Sequence, residues 1–233
     1  MSTFFIFLLT VICVALYTGQ TFFSKLFSTH YRGPQEAATP VYAVLYGVLV
    51  STVTLFLSHF QVTPSKETIL LGCINGGVLF LFNLSMIHAS RTGPYAFQSI
   101  MMLFGNIVVC LAFSSVYWGD RLTLLQMAGI AVMLVAFVVL NGGGIDLQSV
   151  QKGYFFWVIL LFCTNGIYGV LMDAQQRLYV HERNEMILVT FLSSAVISLF
   201  YLFVTQRKRS FKVFRMGKAA WGFTAGSGLC AAF

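Results

Sequence analysis

Apolar runs of membrane-crossing length alternate with short polar breaks along the whole chain. Eight runs stand out, at about residues 4–24, 41–59, 68–88, 95–117, 123–141, 153–173, 186–204 and 219 onward. Each is near the ~20 residues a helix needs to cross a hydrocarbon layer. Backbone polar groups in hydrocarbon must bond within their own segment, so such runs predict helices. Barrel strands would show alternation, which these runs lack. The expected fold is an all-α membrane protein, a polytopic helical bundle of about eight spans.

The breaks carry helix-ending chemistry. Gly33-Pro34 precedes the second run, and Gly93-Pro94 separates the third from the fourth. Pro94 suits the start of a helix, where its missing N–H has no partner to lose. Thr123 with Gln126 forms a capping-box pattern after the Gly119-Asp120-Arg121 turn. Asn141-Gly142-Gly143-Gly144 closes the fifth run. The last run, 219–233, is short and ends without a charged flank, so it reads as a truncated span.

Composition removes the soluble alternatives. Hydrophobic residues make up 58% of the 233 and charged residues only 9%, against roughly 25% charged in soluble domains. The net charge of +7 would suit nucleic acid if it were spread over a face. Instead, six of the 14 basic residues crowd into Arg207, Lys208, Arg209, Lys212, Arg215 and Lys218. That is the pattern of a cytoplasmic loop obeying the positive-inside tendency. Ten of the 14 basic residues fall on the cluster's side of the membrane, which would put the N-terminus outside; without the cluster the two sides tie. Cys13, Cys73, Cys110, Cys163 and Cys230 lie inside apolar runs with no CxxC pair, and read as small buried hydrophobes. The N-terminus has no basic leader before its first run, which therefore reads as a retained span.

A weak internal match appears at an offset of about 150 residues. Leu71-Gly72-Cys73-Ile74-Asn75-Gly76-Gly77-Val78-Leu79 overlies Trp221-Gly222-Phe223-Thr224-Ala225-Gly226-Ser227-Gly228-Leu229, keeping two glycines and a leucine in phase. Leu16-Tyr17-Thr18-Gly19 falls near Ile167-Tyr168-Gly169. A unit with an odd number of spans, repeated once, gives an inverted repeat with its substrate site between the halves. The expected organisation is a first five-helix unit, 1–142, and a second, 143–233, that is incomplete. Gly72 with Gly76 and Gly222 with Gly226 are small-xxx-small pairs, expected where helices approach closely.

Ala89-Ser90-Arg91-Thr92-Gly93-Pro94-Tyr95-Ala96, the Gly119-Asp120-Arg121-Leu122-Thr123 turn, and then Gln126, Gly129-Ile130 and Leu134 together resemble the end of an EamA domain. The resemblance is to the drug/metabolite transporter superfamily, and it implies two five-helix repeats that move small molecules by alternating access. Two positions depart from the family pattern. Asp120 stands where Glu is usual, and Phe104-Gly105-Asn106 where a mid-helix Pro is common. Members also usually place the N-terminus in the cytoplasm, opposite to the charge count. The cell location implied is an integral, multi-pass position in a bacterial-type plasma (inner) membrane.

No Asp, Glu, Lys or Arg lies in the middle of any predicted span, so a central buried carboxylate is not the expected coupling device. Asp173, near one end of the sixth run, is the nearest coupling candidate, with an interfacial pair to Arg177 as the alternative. The amides Gln20, Asn75, Asn83, Gln98, Asn106 and Asn165, with Tyr168, are the candidate substrate-binding residues. Amides bind polar solutes without the cost of a buried ion; interhelical hydrogen bonding is their competing role. Tyr17 and Tyr95 could line a pore or anchor at the interface, and His88 reads as structural. No His, Asp or Ser cluster suggests an enzyme, and no metal or cofactor is expected. The expected partners are a small-molecule substrate and the lipid bilayer, with no nucleic acid. A non-transporting receptor or scaffold is the alternative.

Overall fold

The computed structural model describes residues 3–141, 151–205 and 217–232. The Gly142-Gly143-Gly144 stop and the basic residues from Arg207 to Arg215 lie outside the described residues. Among the described residues the protein is an all-α polytopic bundle of eight helices: α1 Thr3–His30, α2 Gln35–Leu57, α3 Lys66–Thr92, α4 Tyr95–Phe113, α5 Leu124–Asn141, α6 Tyr154–Leu178, α7 Arg183–Thr205 and α8 Lys218–Ala232. Six of them, all but α5 and α8, are long and apolar enough to cross a membrane, as an integral multi-pass protein requires.

Most helices extend past their apolar runs. α1 continues to His30 and α3 starts at Lys66, because polar residues at the interface keep helical backbone bonds while their side chains reach water. α2 begins at Gln35 and carries Pro40 inside it, where the sequence places the start at 41. The lost Pro40 N–H costs one bond near the helix start, and the helix survives. Ser65 caps α3 by accepting from the Thr68 N–H at 3.2 Å. The Thr123–Gln126 capping box is present in both directions, at 3.3 Å and 2.8 Å. α4 widens at its end into a π-helical turn, Ser114–Trp118, stopped by Gly119 at φ 70°.

Packing follows a definite set of pairs. α1 lies antiparallel on α8, with Gly19 beside Cys230 and His30 beside Phe223. α6 lies antiparallel on α3, with Tyr154 against Gly93 and Trp157 stacked on His88. α2 packs on α7, α3 runs alongside α7, α8 packs on α2, and α4 runs alongside α6. Glycine permits the tightest approaches. A Cβ at Gly105 of α4 would run into the Phe162 backbone of α6, and one at Gly76 of α3 would lie 2.8 Å from the Thr190 carbonyl oxygen of α7. Gly226 likewise meets the Phe23 ring, whereas Gly222 faces open space, so only one member of that second pair serves close packing.

The described residues correct one reading. Cys13, Cys73 and Cys163 are exposed on the outside of the bundle, and only Cys110 and Cys230 are partly covered. In a membrane protein the outer surface is itself apolar, so an apolar run does not tell lipid-facing from buried positions.

Candidate functional site

The two ends of the bundle differ in packing. α1, α3 and α7 run toward one end, and α2, α4, α6 and α8 start from it. There, Phe27, Tyr42, Ile87, Met102 and Leu161 are fully buried, and the Phe27, Tyr42 and Tyr46 rings follow one another at about 5 Å between centroids. Hydrogen bonds tie the helices together at this end. Arg91 donates to the Ser28 carbonyl at 3.1 Å, the Gln98 amide to the Met86 carbonyl at 3.1 Å, and the Tyr154 hydroxyl to the Pro94 carbonyl at 2.7 Å. Lys25 lies 4.4 Å from the centre of the Tyr95 ring. Burial pushes the Tyr31 hydroxyl, in the loop beyond α1, up to about 12.

Toward the other end the same helices part around a cavity. Its inner chamber, about 230 Å³, is lined by Tyr17, Gln20, Tyr46, Phe82, Asn165 and Tyr168, with Phe191 and aliphatic side chains completing the wall. Tyr17, Tyr46 and Asn165 fall near the middles of α1, α2 and α6, so the chamber sits about halfway through the bundle. An outer chamber of about 360 Å³ shares Tyr17, Asn165, Tyr168 and Met172 with it, and extends past Asn106 and Cys110 to Asp173, Gln176 and Arg183. Gln176 and Arg183 are exposed, so the path opens at the end where α6 finishes and α7 begins.

Among the described residues, no charged side chain lines the inner chamber. Gln20 Nε2 bonds the Tyr46 hydroxyl at 2.7 Å. Asn165 Nδ2 donates to the Met102 carbonyl at 2.6 Å. A carbonyl can only accept, so this bond fixes which way the Asn165 amide is turned. The Tyr17 hydroxyl lies beside Asn165 and is buried without a well-formed hydrogen bond.

At the open end the helices are held by polar ties near the surface. Arg177 pairs with Asp120 at 2.6 Å and with Asp173 at 3.0 Å, joining the α4–α5 turn to α6. The Arg177 guanidinium, then the Ser114 hydroxyl, hold the Asp120 carboxyl below its ordinary range. Glu182 accepts from the Ser65 hydroxyl at 2.7 Å and the Ser65 N–H at 3.0 Å. Hydrogen bonds from Thr68 and Ser65 lower its carboxyl as well. A separate hollow of about 430 Å³ beside the α4–α5 turn is lined by this same ion-pair group.

The candidate residues therefore divide. Gln20, Asn165 and Tyr168 line the inner chamber, and Asn106 and Asp173 line the outer one. Asp173 is at the same time the ion-pair partner of Arg177. Gln98 lies in the closed end, where its amide donates to Met86 and its oxygen accepts from Ser90 at 3.1 Å. Asn75 and Asn83 are buried and line neither chamber; among the described residues neither polar atom of Asn75, nor Nδ2 of Asn83, has a hydrogen-bond partner. Sequence reasoning missed Tyr46 and the mouth residues Gln176 and Arg183. The Tyr42–Tyr46 spacing of one helical turn was the available signal for the first. No family model matches this chain, and no curated protein matches it.

Proposed function

We propose that this chain is a membrane transporter of the drug/metabolite type, moving a small polar or amphipathic compound by alternating access. The observation that carries the reading is the dead-end cavity. It reaches the middle of the bundle from one end, ends among amides and tyrosines, and is shut off from the other end by a packed, hydrogen-bonded layer. A solute path open to one side at a time needs this geometry.

The helix pairings support the inverted repeat. Exchanging α1 with α6, α2 with α7 and α3 with α8 turns the α1–α8 pair into the α6–α3 pair. It also turns the α3–α7 pair into the α8–α2 pair, and leaves α2–α7 unchanged; all of these pairings exist. Tyr17 and Tyr168, nearly superimposed by the offset of about 150 residues, both line the same inner chamber. A bacterial-type plasma membrane, with the basic end of the bundle in the cytoplasm, completes the proposal.

The test is flux. The purified full chain, reconstituted in liposomes, is expected to give saturable uptake of at least one compound from a panel of amines, amino acids and neutral metabolites. Tyr168→Leu should remove it. A properly folded protein that moves none of the panel would contradict transport and favour a receptor or scaffold.

A further inference from the structure

The lining chemistry of the inner chamber selects among small molecules, and this selection rests on the transporter-site reading above. Tyr17, Tyr46, Phe82, Tyr168 and Phe191 bring five aromatic rings to a space of about 230 Å³. That is room for one ring with a short tether, since a water occupies ~30 Å³. Ring faces are electron-rich and attract cations lying within ~6 Å of them.

The polar atoms point the same way. Asn165 Nδ2 spends one of its two hydrogens on the Met102 carbonyl, which turns the amide so that its carbonyl oxygen can accept from a ligand. Gln20 similarly spends Nε2 on Tyr46. An anion would find no cationic group in this chamber. Among the described residues no anionic side chain lines it either, so the choice of sign falls to the ring faces, which attract a cation and repel an anion.

The surroundings of the mouth add an independent observation. The mouth itself holds one residue of each sign, Asp173 and Arg183. The helix ends and loops around it carry Glu67, Asp120, Asp173, Glu182 and Glu185, five of the seven acidic residues of the chain. Among the described residues the opposite end carries Lys25, Arg32, Arg91, Lys152 and Lys218 against Glu36. The mouth end also carries Lys66, Arg121, Arg177 and Arg183 and stands near neutral against a basic closed end, so a cation meets less repulsion at the opening than at the closed end.

We propose that the ligand of this site is a small organic ammonium compound with an aromatic or apolar body. Its body fills the tyrosine-lined chamber and its ammonium group donates to Asn165 Oδ1 and Gln20 Oε1.

Three probes with the same phenylethyl skeleton test this on the purified full chain by isothermal titration: 2-phenylethylammonium, 2-phenylethanol and 3-phenylpropionate. The ammonium compound is expected to bind about tenfold or more tighter than either of the others. Asn165→Asp, which sets a carboxylate in the same place, should tighten ammonium binding further. Gln20→Glu makes the same test from α1, should the loss of the Met102 bond unfold the first variant. Equal or tighter binding of the carboxylate, still abolished by Tyr168→Leu, would overturn the cation assignment and leave the site standing. Binding of no probe, or binding indifferent to both Tyr168→Leu and Asn165→Leu, would overturn the site together with its ligand.

Discussion

At the end of the bundle where α1 finishes, Phe27, Tyr42, Met102 and Leu161 are buried, and Arg91, Gln98 and Tyr154 tie α1, α3, α4 and α6 together. At the other end the same helices enclose a cavity and are joined by half-exposed ion pairs of Arg177 and by Glu182 on the start of α3. The contrast shows which contacts hold the bundle and which leave it free to rearrange. Close-packed side chains have no partial state between touching and apart. Surface ion pairs contribute little and exchange readily with water. The closed end therefore sets the stability of this conformation, and the open end adds little to it.

The largest effect should come from cutting the closed end. Phe27→Ala removes a fully buried ring and should cost about 3–5 kcal/mol, read as a lowered unfolding temperature in detergent. Tyr168→Leu, in the cavity wall, should change that temperature far less while abolishing ligand binding. If the two variants destabilised the protein equally, the distinction between a structural end and a functional end would fail.

Gln98→Leu is the intermediate case. It removes the Gln98 bonds to the Met86 carbonyl and the Ser90 hydroxyl, which keep each other as partners at 2.7 Å, so the loss should be roughly 0.5–1.5 kcal/mol. Because this layer seals one side, the variant should also raise reactivity of the closed end toward thiol reagents, measured on a cysteine placed at Ser28. An unchanged rate would show that Gln98 does not keep the seal.

The smallest effect belongs to the open end. Asp120→Asn should barely move the unfolding temperature, since Asp120 and Arg177 are 48% and 38% exposed. The sign of its pH dependence is fixed by a carboxyl lowered in the folded state. What stability the pair adds is complete above the ordinary carboxylate value of about 3.9 and fades as pH falls through the lowered native one. Melting curves of the wild type and Asp120→Asn should differ by a constant small margin from pH 8 to 5 and converge in acid. A margin that grows with acidity would contradict the Arg177 tie.

The same contrast explains what the sequence could reveal. Runs of apolar residues predict the helices well, because length and hydropathy are summed over many positions. The faces of those helices are much harder to read. α2 and α6 carry apolar side chains on most faces, so little in their periodicity tells a lipid contact from a wall of the cavity. Gln98, Asn75 and Gln20 are alike as amides in apolar runs, yet only Gln20 lines the chamber. What separates them is tertiary: Gln98 meets the Met86 carbonyl across a helix pair, and Asn75 lies under side chains of other helices. The Asp173–Arg177 pair was legible because its partners lie one helical turn apart. Asp120, joined to Arg177 from 57 residues away, was not.

The most direct test asks whether the cavity changes sides. In a protein retaining Cys110 as its only native cysteine, a membrane-impermeant thiol reagent should modify Cys110 from the mouth face alone, because it lines the outer chamber. A cysteine placed at Ser24, one turn beyond Gln20 and 2% exposed, should resist the reagent from both faces at rest. With a transported compound present, that cysteine should become reactive from the opposite face. A Ser24 cysteine that stays protected while the compound demonstrably binds would contradict alternating access and leave a one-sided binding protein.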